Sequence, residues 1–326
     1  MHSTGTHSTN PQPSSLLLHE LADVNCSLMA SDRWLFDLLH EHRVLTVSQL
    51  VRFGFRTTAR DAGRRLRVLR SRQITASFDH VTPAGTRQRC WTLGVRGRQL
   101  TALWDDQAVP ADGDAARLVT NQAADPGNNH ALAIGEFFSR LAEGSRPGTF
   151  TDLRFWWGPR SCAALPAAAG KGPLEYGSYF SHGTHIGFWL HHPAPAPAAL
   201  PAVIRGYQEL AAATGTSTVL IPAASQAAED QLWNNLAACD LTGLTIATTT
   251  SHPTGPGIPQ WRTSPAGQLI PFSALPGTYR TDHPWWGAKP SQNLPPLPGH
   301  PIWDPEREYD EAVFDNWETC RDTTST

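Results

Sequence analysis

Arg60, Arg64 and Arg67 stand four and three residues apart, with Arg56, Arg65 and Arg70 beside them. At that interval guanidinium groups line one side of a helix, where they can grip phosphate or pair with guanine in two-pronged fashion. They are the densest part of a larger block. Residues 30–104 hold fourteen arginines, no lysine and five acidic residues, a surplus of about nine positive charges in a chain of net −3. The remainder must therefore carry about −12. Charge sorted in this way raises the local potential enough to attract a polyanion, and double-stranded DNA is the expected partner. Arg87 and Arg89 extend the same surface in the following segment.

Other reactive side chains form weaker patterns. His182, His185, His191 and His192 are the densest histidine group and, if the flanking strands pair as a hairpin, some could face one another around a transition metal. No cysteine or carboxylate joins that spacing, so these four are weak metal candidates. Ser161-Cys162 follows Gly158-Pro159-Arg160 without an identifiable base, which argues against a nucleophile. The five cysteines are scattered singly with no CxxC pair, so neither a disulfide framework nor a zinc ribbon is supported. Neither a GxGxxG nor a GxxxxGK[ST] loop occurs. Trp156-Trp157 and Trp285-Trp286 could stack on unpaired bases, although packing is the stronger reading. No cofactor is expected.

The elements that must carry these groups follow from periodicity and caps. A helix begins at Asp32 with Leu35, Leu38 and Leu39 on one face and Val44 closing it. Thr46-x-x-Gln49 is a capping-box pattern that opens a second short helix, buried through Leu50, Val51 and Phe53. Thr58-x-x-Asp61 opens the third, whose apolar stripe of Ala62, Leu66 and Leu69 lies opposite the arginines. Residues 74–80 and 88–93 read as a hairpin around Pro83 and Gly85, and a fourth helix spans 95–104. Three helices and a hairpin in about 75 residues is the plan of a winged helix, which places its third helix in the major groove.

Residues 105–128 are acidic and turn-rich and read as a linker. A helix over 130–142, strands at 153–157, 178–180, 187–190, 218–222 and 244–249, and helices over 202–213 and 225–236 then alternate. This pattern predicts an α/β domain with mixed strands over 129–275, and an α+β chain overall. Residues 1–29 read as a flexible lead-in, and 276–326 as an irregular Pro/Trp-rich tail with an acidic end, a candidate for recruiting a replication or transfer protein. No apolar run reaches the ~20 residues that span a bilayer, and no basic flank precedes Leu16-Leu17-Leu18, so a cytoplasmic location without membrane contact is expected.

The string His42-Arg43-Val44-Leu45-Thr46 followed by Gln49-Leu50 resembles the opening of the replication-relaxation family. The likeness continues through Arg64-Arg65-Leu66-x-x-Leu69, Trp91-Thr92-Leu93, His130-Ala131-Leu132-Ala133, Trp156-Trp157 and Gly206-Tyr207. It covers roughly residues 30–250 and is most specific in the first 75. The resemblance implies an origin on actinobacterial or Firmicutes plasmids and conjugative elements, and an early role in plasmid replication or DNA relaxation. It also implies a restriction-endonuclease-like second half, in which a Pro-Asp, a second carboxylate pair and a lysine collect Mg²⁺ for phosphodiester hydrolysis.

The chain departs from that pattern where it matters. Pro173-Leu174-Glu175-Tyr176-Gly177 stands where Pro-Asp-Gly is expected, His191-His192-Pro193 where a strand should end in carboxylates, and Val203-Ile204 where a lysine should lie. Glu175 and Glu136 remain as weak catalytic candidates. The reading is a DNA-binding protein of an actinobacterial plasmid or mobile element whose pseudo-nuclease domain is an inactive scaffold, with homodimerisation open. The alternatives are an active Mg²⁺-dependent nuclease or nicking enzyme, and a transcriptional regulator with a sensing second domain.

Overall fold

The structure, a computed structural model, describes residues 15–144, 152–163, 165, 168, 171, 173–181, 184–192, 196–250, 259–265 and 267–275. The proposed tail at 276–326 lies outside the described residues.

The basic block forms α2 (Ala30–His42), β1 (Leu45–Thr46), α3 (Val47–Arg52), α4 (Ala59–Ser71), the hairpin β2 (Thr75–Val81) and β3 (Arg87–Leu93), and α5 (Val95–Trp104). The two caps form as the sequence requires. Thr46 Oγ1 accepts from the Gln49 amide at 3.3 Å while Gln49 Oε1 accepts from the Thr46 amide at 2.9 Å. Thr58 Oγ1 accepts from the Asp61 amide at 3.1 Å. Strand β1 was not expected. It pairs antiparallel with β3 through Leu45 and Trp91, giving a three-stranded sheet in the order β1-β3-β2.

Two readings of composition need correction. Within the supposed flexible lead-in, α1 (Ser15–Cys26) packs on α5, with Leu21 fully buried and Leu17 and Val24 against the same core. An i, i+4, i+7 stripe is enough to dock a polar helix. The supposed linker contains α6 (Asp112–Ala124), which buries Ala115 and Gln122. Asp112 and Asp114 in its first turn suit the positive helix terminus, and Arg96 pairs with Asp112 at 2.9 Å. The acidic residues that suggested a linker thus help to start and tether this helix.

The α/β part begins with α7 (Asn128–Gly144). It continues through β4 (Asp152–Trp157), α8 (Pro159–Ala163), β5 (Glu175–Ser181), β6 (Thr184–Leu190), α9 (Leu200–Thr214), β7 (Thr218–Pro222), α10 (Gln226–Leu236) and β8 (Thr245–Thr249). These strands form one sheet in the order β4-β5-β6-β7-β8. The first three run as an antiparallel meander, and β6, β7 and β8 are parallel. A small antiparallel pair, β9 (Pro259–Trp261) and β10 (Ile270–Pro271), closes one side and brings Trp261 into the core.

Alternation along the strands sorts side chains to two faces. Trp156, Phe188, Leu220 and Ala247 join one cluster, while Trp157, Trp189, Val219, Ile221 and Ile246 join another under α9 and α10. Gly177 sits opposite Phe188, whose ring lies where a Cβ would be, so only glycine admits that aromatic. The first cluster also contains Leu35, Leu39, Leu50, Phe53, Leu66 and Trp91. The basic block and the sheet therefore share a core and are not two bodies on a tether. Among the described residues no helix is long and apolar enough to cross a membrane.

Candidate nucleic-acid interface

Helix α4 divides its arginines by environment. At 100° per residue, Arg60, Arg64 and Arg67 fall within a sector of about 60° directly opposite Ala62, Leu66 and Leu69. All three are exposed, as is Arg70, and none has an ion pair among the described residues. Arg65 lies on the flank and does something else. Its Nε donates to Asp32 Oδ1 at 2.8 Å and its Nη2 to Asp32 Oδ2, and Asp32 is fully buried at the start of α2. The other Asp32 contact is a bond accepted from the Met29 amide at 3.0 Å. Arg65, expected on the DNA side, is a clamp between α2 and α4.

The remaining arginines sort the same way. Arg56 donates to Ser31 at 2.9 Å, and its guanidinium lies 4.9 Å from the centre of the Phe55 ring. Arg89 pairs across the hairpin with Asp79 at 2.6 Å, on exposed surface, and Arg87 is exposed near the same carboxylate. Arg43 is tied to Gln122 of α6 and to Asp125 just past it, Arg52 to Glu136 of α7, and Arg96 to Glu20 of α1. Among the described residues, the exposed arginine charge without an acidic partner is thus concentrated on α4, while Arg87 shares the Asp79 carboxylate with Arg89.

A buried polar junction that sequence reasoning did not identify lies at the end of α2. Glu41 Oε1 accepts from the backbone amides of Gly158 and Ser161 at 2.7 and 3.1 Å, capping α8 from the end of α2. Burial pushes the Glu41 carboxyl up, opposed by these hydrogen bonds. His42 stacks on Trp156 with ring centres 3.3 Å apart. Both its ring nitrogens are buried without a hydrogen-bond partner, and desolvation holds its pKa well below the usual imidazole range. Arg43 has a positive φ of 67° and reaches Gln122 and Asp125. Gln49 Nε2 donates to the Leu132 carbonyl at 2.9 Å. The motif from His42 to Leu50 therefore joins the basic block to the sheet. In the sequence this stretch carries the family-like string and the Thr46 capping box, and neither marks a junction with a distant sheet.

The carboxylates carried over from the nuclease pattern are not brought together as a metal site. Glu175 is buried, accepts from Trp156 Nε1 at 2.8 Å, and is pushed up to about 8 by burial, with Glu41 adding to the shift. A carboxyl that is mostly neutral at pH 7 is a poor ligand for Mg²⁺. Glu136 is held by Arg52 at 2.7 Å and Arg140 at 2.6 Å. Burial would raise its pKa, but these bonds outweigh it and the group stays low. The two residues share no partner. Cys162 is buried, and desolvation with Glu175 and Glu41 nearby drives its pKa well up, which disfavours the thiolate that a nucleophile needs.

The histidine group is divided. His182 lies outside the described residues, and His185 is on β6 without a described side chain. His191 Nδ1 is 3.0 Å from the Tyr207 hydroxyl, and burial together with His192 and His130 lowers its pKa to about 4. His192 instead lies 5.6 Å, centre to centre, from His130 of α7. Both border a groove of about 620 Å³ between α3, the hairpin and α7. Among the described residues no group of three or more His, Cys, Asp or Glu is placed to hold a metal ion.

The model of the replication-relaxation family covers residues 36–218, more than half of the chain. No curated protein and no solved structure matches.

Proposed function

Since the chain belongs to the replication-relaxation family, we propose that it binds duplex DNA in plasmid replication or relaxation, through a winged helix built from residues 30–104. In this reading α4 enters the major groove and the β2–β3 hairpin is the wing. Arg60, Arg64 and Arg67 span about 10 Å along α4, close to three base-pair steps, so they can meet successive phosphates or base edges. Arg70 and Arg87 extend the contact, and Arg56 and Arg89 border it. Arg65 supports the helix from behind. The helix, strand, helix, helix, hairpin order supports the reading. The observation that carries it is that three arginines on one face of α4 are exposed and, among the described residues, without an ion pair.

The α/β half serves in this reading as a scaffold, because burial pushes the Glu175 carboxyl up to about 8, which favours its neutral form, and Glu136 is already paired. An actinobacterial mobile element is the proposed setting, by resemblance.

The test is a salt titration of duplex binding by fluorescence anisotropy. Replacing Arg60, Arg64 and Arg67 by Gln should weaken binding at least tenfold and reduce the slope of log K against log salt by about 2.7, at about 0.9 per lost phosphate contact. An unchanged slope in the triple variant overturns the interface. Incubating supercoiled plasmid with Mg²⁺ tests the scaffold. Cleavage lost in Glu175→Ala would establish a nuclease instead.

A further inference from the structure

The groove beside the hairpin contains a pair of histidines that the DNA reading does not use. His130, near the start of α7, and His192, just past β6, come from elements 62 positions apart in the chain. Their ring centres are 5.6 Å apart with planes inclined at 37°. Both border the same groove, together with Thr46, Gln49 and Glu136. Among the described residues neither Nδ1 nor Nε2 of His130 has a hydrogen-bond partner, although both atoms are buried. A buried imidazole with both nitrogens unsatisfied costs free energy unless something occupies the space beside it.

We propose that His130 and His192 form a two-imidazole site for a borderline transition-metal dication such as Zn²⁺ or Cu²⁺. With metal–nitrogen bonds of about 2.0 Å and the ring centre about 1.1 Å further on, each centre lies about 3.2 Å from the ion. Tetrahedral ligation then places the two centres about 5.2 Å apart and a wider angle up to about 6.4 Å. The observed 5.6 Å falls inside that window. Imidazole nitrogen selects these ions over Mg²⁺, which demands oxygen. Glu136 does not complete the set, because Arg52 and Arg140 hold its carboxylate. Among the described residues no further ligand is placed there, so the open positions fall to water or an incoming ligand in the groove. His191 is turned away to Tyr207 and is not a member. The site is distinct in residues and in metal class from the carboxylate–lysine pattern of nucleases, and it stands whether or not α4 binds DNA.

The experiment uses full-length, chelator-stripped protein titrated with Zn²⁺ in a calorimeter and, separately, loaded with one equivalent of Cu²⁺ for electron paramagnetic resonance. The expected results are one tight equivalent of Zn²⁺ and nitrogen hyperfine structure from two imidazoles. His130→Gln and His192→Gln should each weaken that equivalent at least tenfold, while His19→Gln, on exposed α1, leaves it intact. Because the copper spectrum is read on the unaltered protein, it tests the site even if a variant fails to fold. Absence of a tight equivalent, coordination by fewer than two nitrogens, or unchanged binding in folded His130→Gln would each overturn the site and point to water as the occupant.

Discussion

Replacing Glu175 by Gln tests the buried junction most directly, because it removes a titration while keeping the shape and an oxygen for Trp156 Nε1. Burial raises the Glu175 pKa from 4.5 to about 8, with Glu41 reinforcing the shift. The unfolded chain therefore releases this proton first. Between the two values the native state binds more protons, so stability falls as pH rises, by at most about 1.4 kcal/mol per unit. Integrated from pH 5 to pH 7, the loss due to this group is about 2.5 kcal/mol, levelling off above pH 8. The assay is urea unfolding followed by tryptophan fluorescence at pH 5, 6, 7 and 8. The readout is the difference in unfolding free energy between Glu175→Gln and the unaltered protein. Buried His42, His130 and His191 have lowered pKa values and act with the opposite sign at acid pH. They are common to both proteins and cancel in the difference. That difference should grow in favour of the variant by about 2–3 kcal/mol from pH 5 to pH 7. A difference constant to within about 0.5 kcal/mol would mean that Glu175 is already ionised, and the case against a metal site at that carboxylate would fall with it.

Arg65→Ala should lower unfolding stability by about 3–5 kcal/mol, because it strips the buried Asp32 of its counter-ion. Arg64→Ala, one position away on the exposed face, should leave the urea midpoint nearly unchanged, and equal losses in the two would refute the division of labour on α4. Trp156→Ala should cost about 3–5 kcal/mol, since that ring stacks on His42, Phe53 and Phe138 and donates to Glu175. Thermal melts would detect the loss. Gly97→Ala should destabilise by about 1–3 kcal/mol, as its Cβ would meet the Ile74 carbonyl at 2.3 Å. Gly63→Ala, with open space at its Cβ inside α4, should instead stabilise by about 0.5–1 kcal/mol. The order of the two melting temperatures checks both.

What was legible in the chain was local. Caps at Thr46 and Thr58, the stripe of Ala62, Leu66 and Leu69, and the β-branched strands depend on neighbours within a few residues, and each formed where its pattern lies. Composition misled where long-range contacts decide. Acidic residues 112 and 114 suggested a linker, but a helix terminus and Arg96 make use of them.

The arginine block shows the same division at single-residue scale. Spacing alone put Arg60, Arg64, Arg65 and Arg67 on one helix, yet it could not say which would meet a buried carboxylate. That depended on α2 bringing Asp32 to the flank of α4, from 33 residues away in the chain. Likewise Glu175 looks like any strand carboxylate until Trp156, Glu41 and the packed sheet remove water from around it. A residue's secondary structure is settled by its near neighbours, whereas its charge state and its partner are settled by whatever the folded chain places beside it.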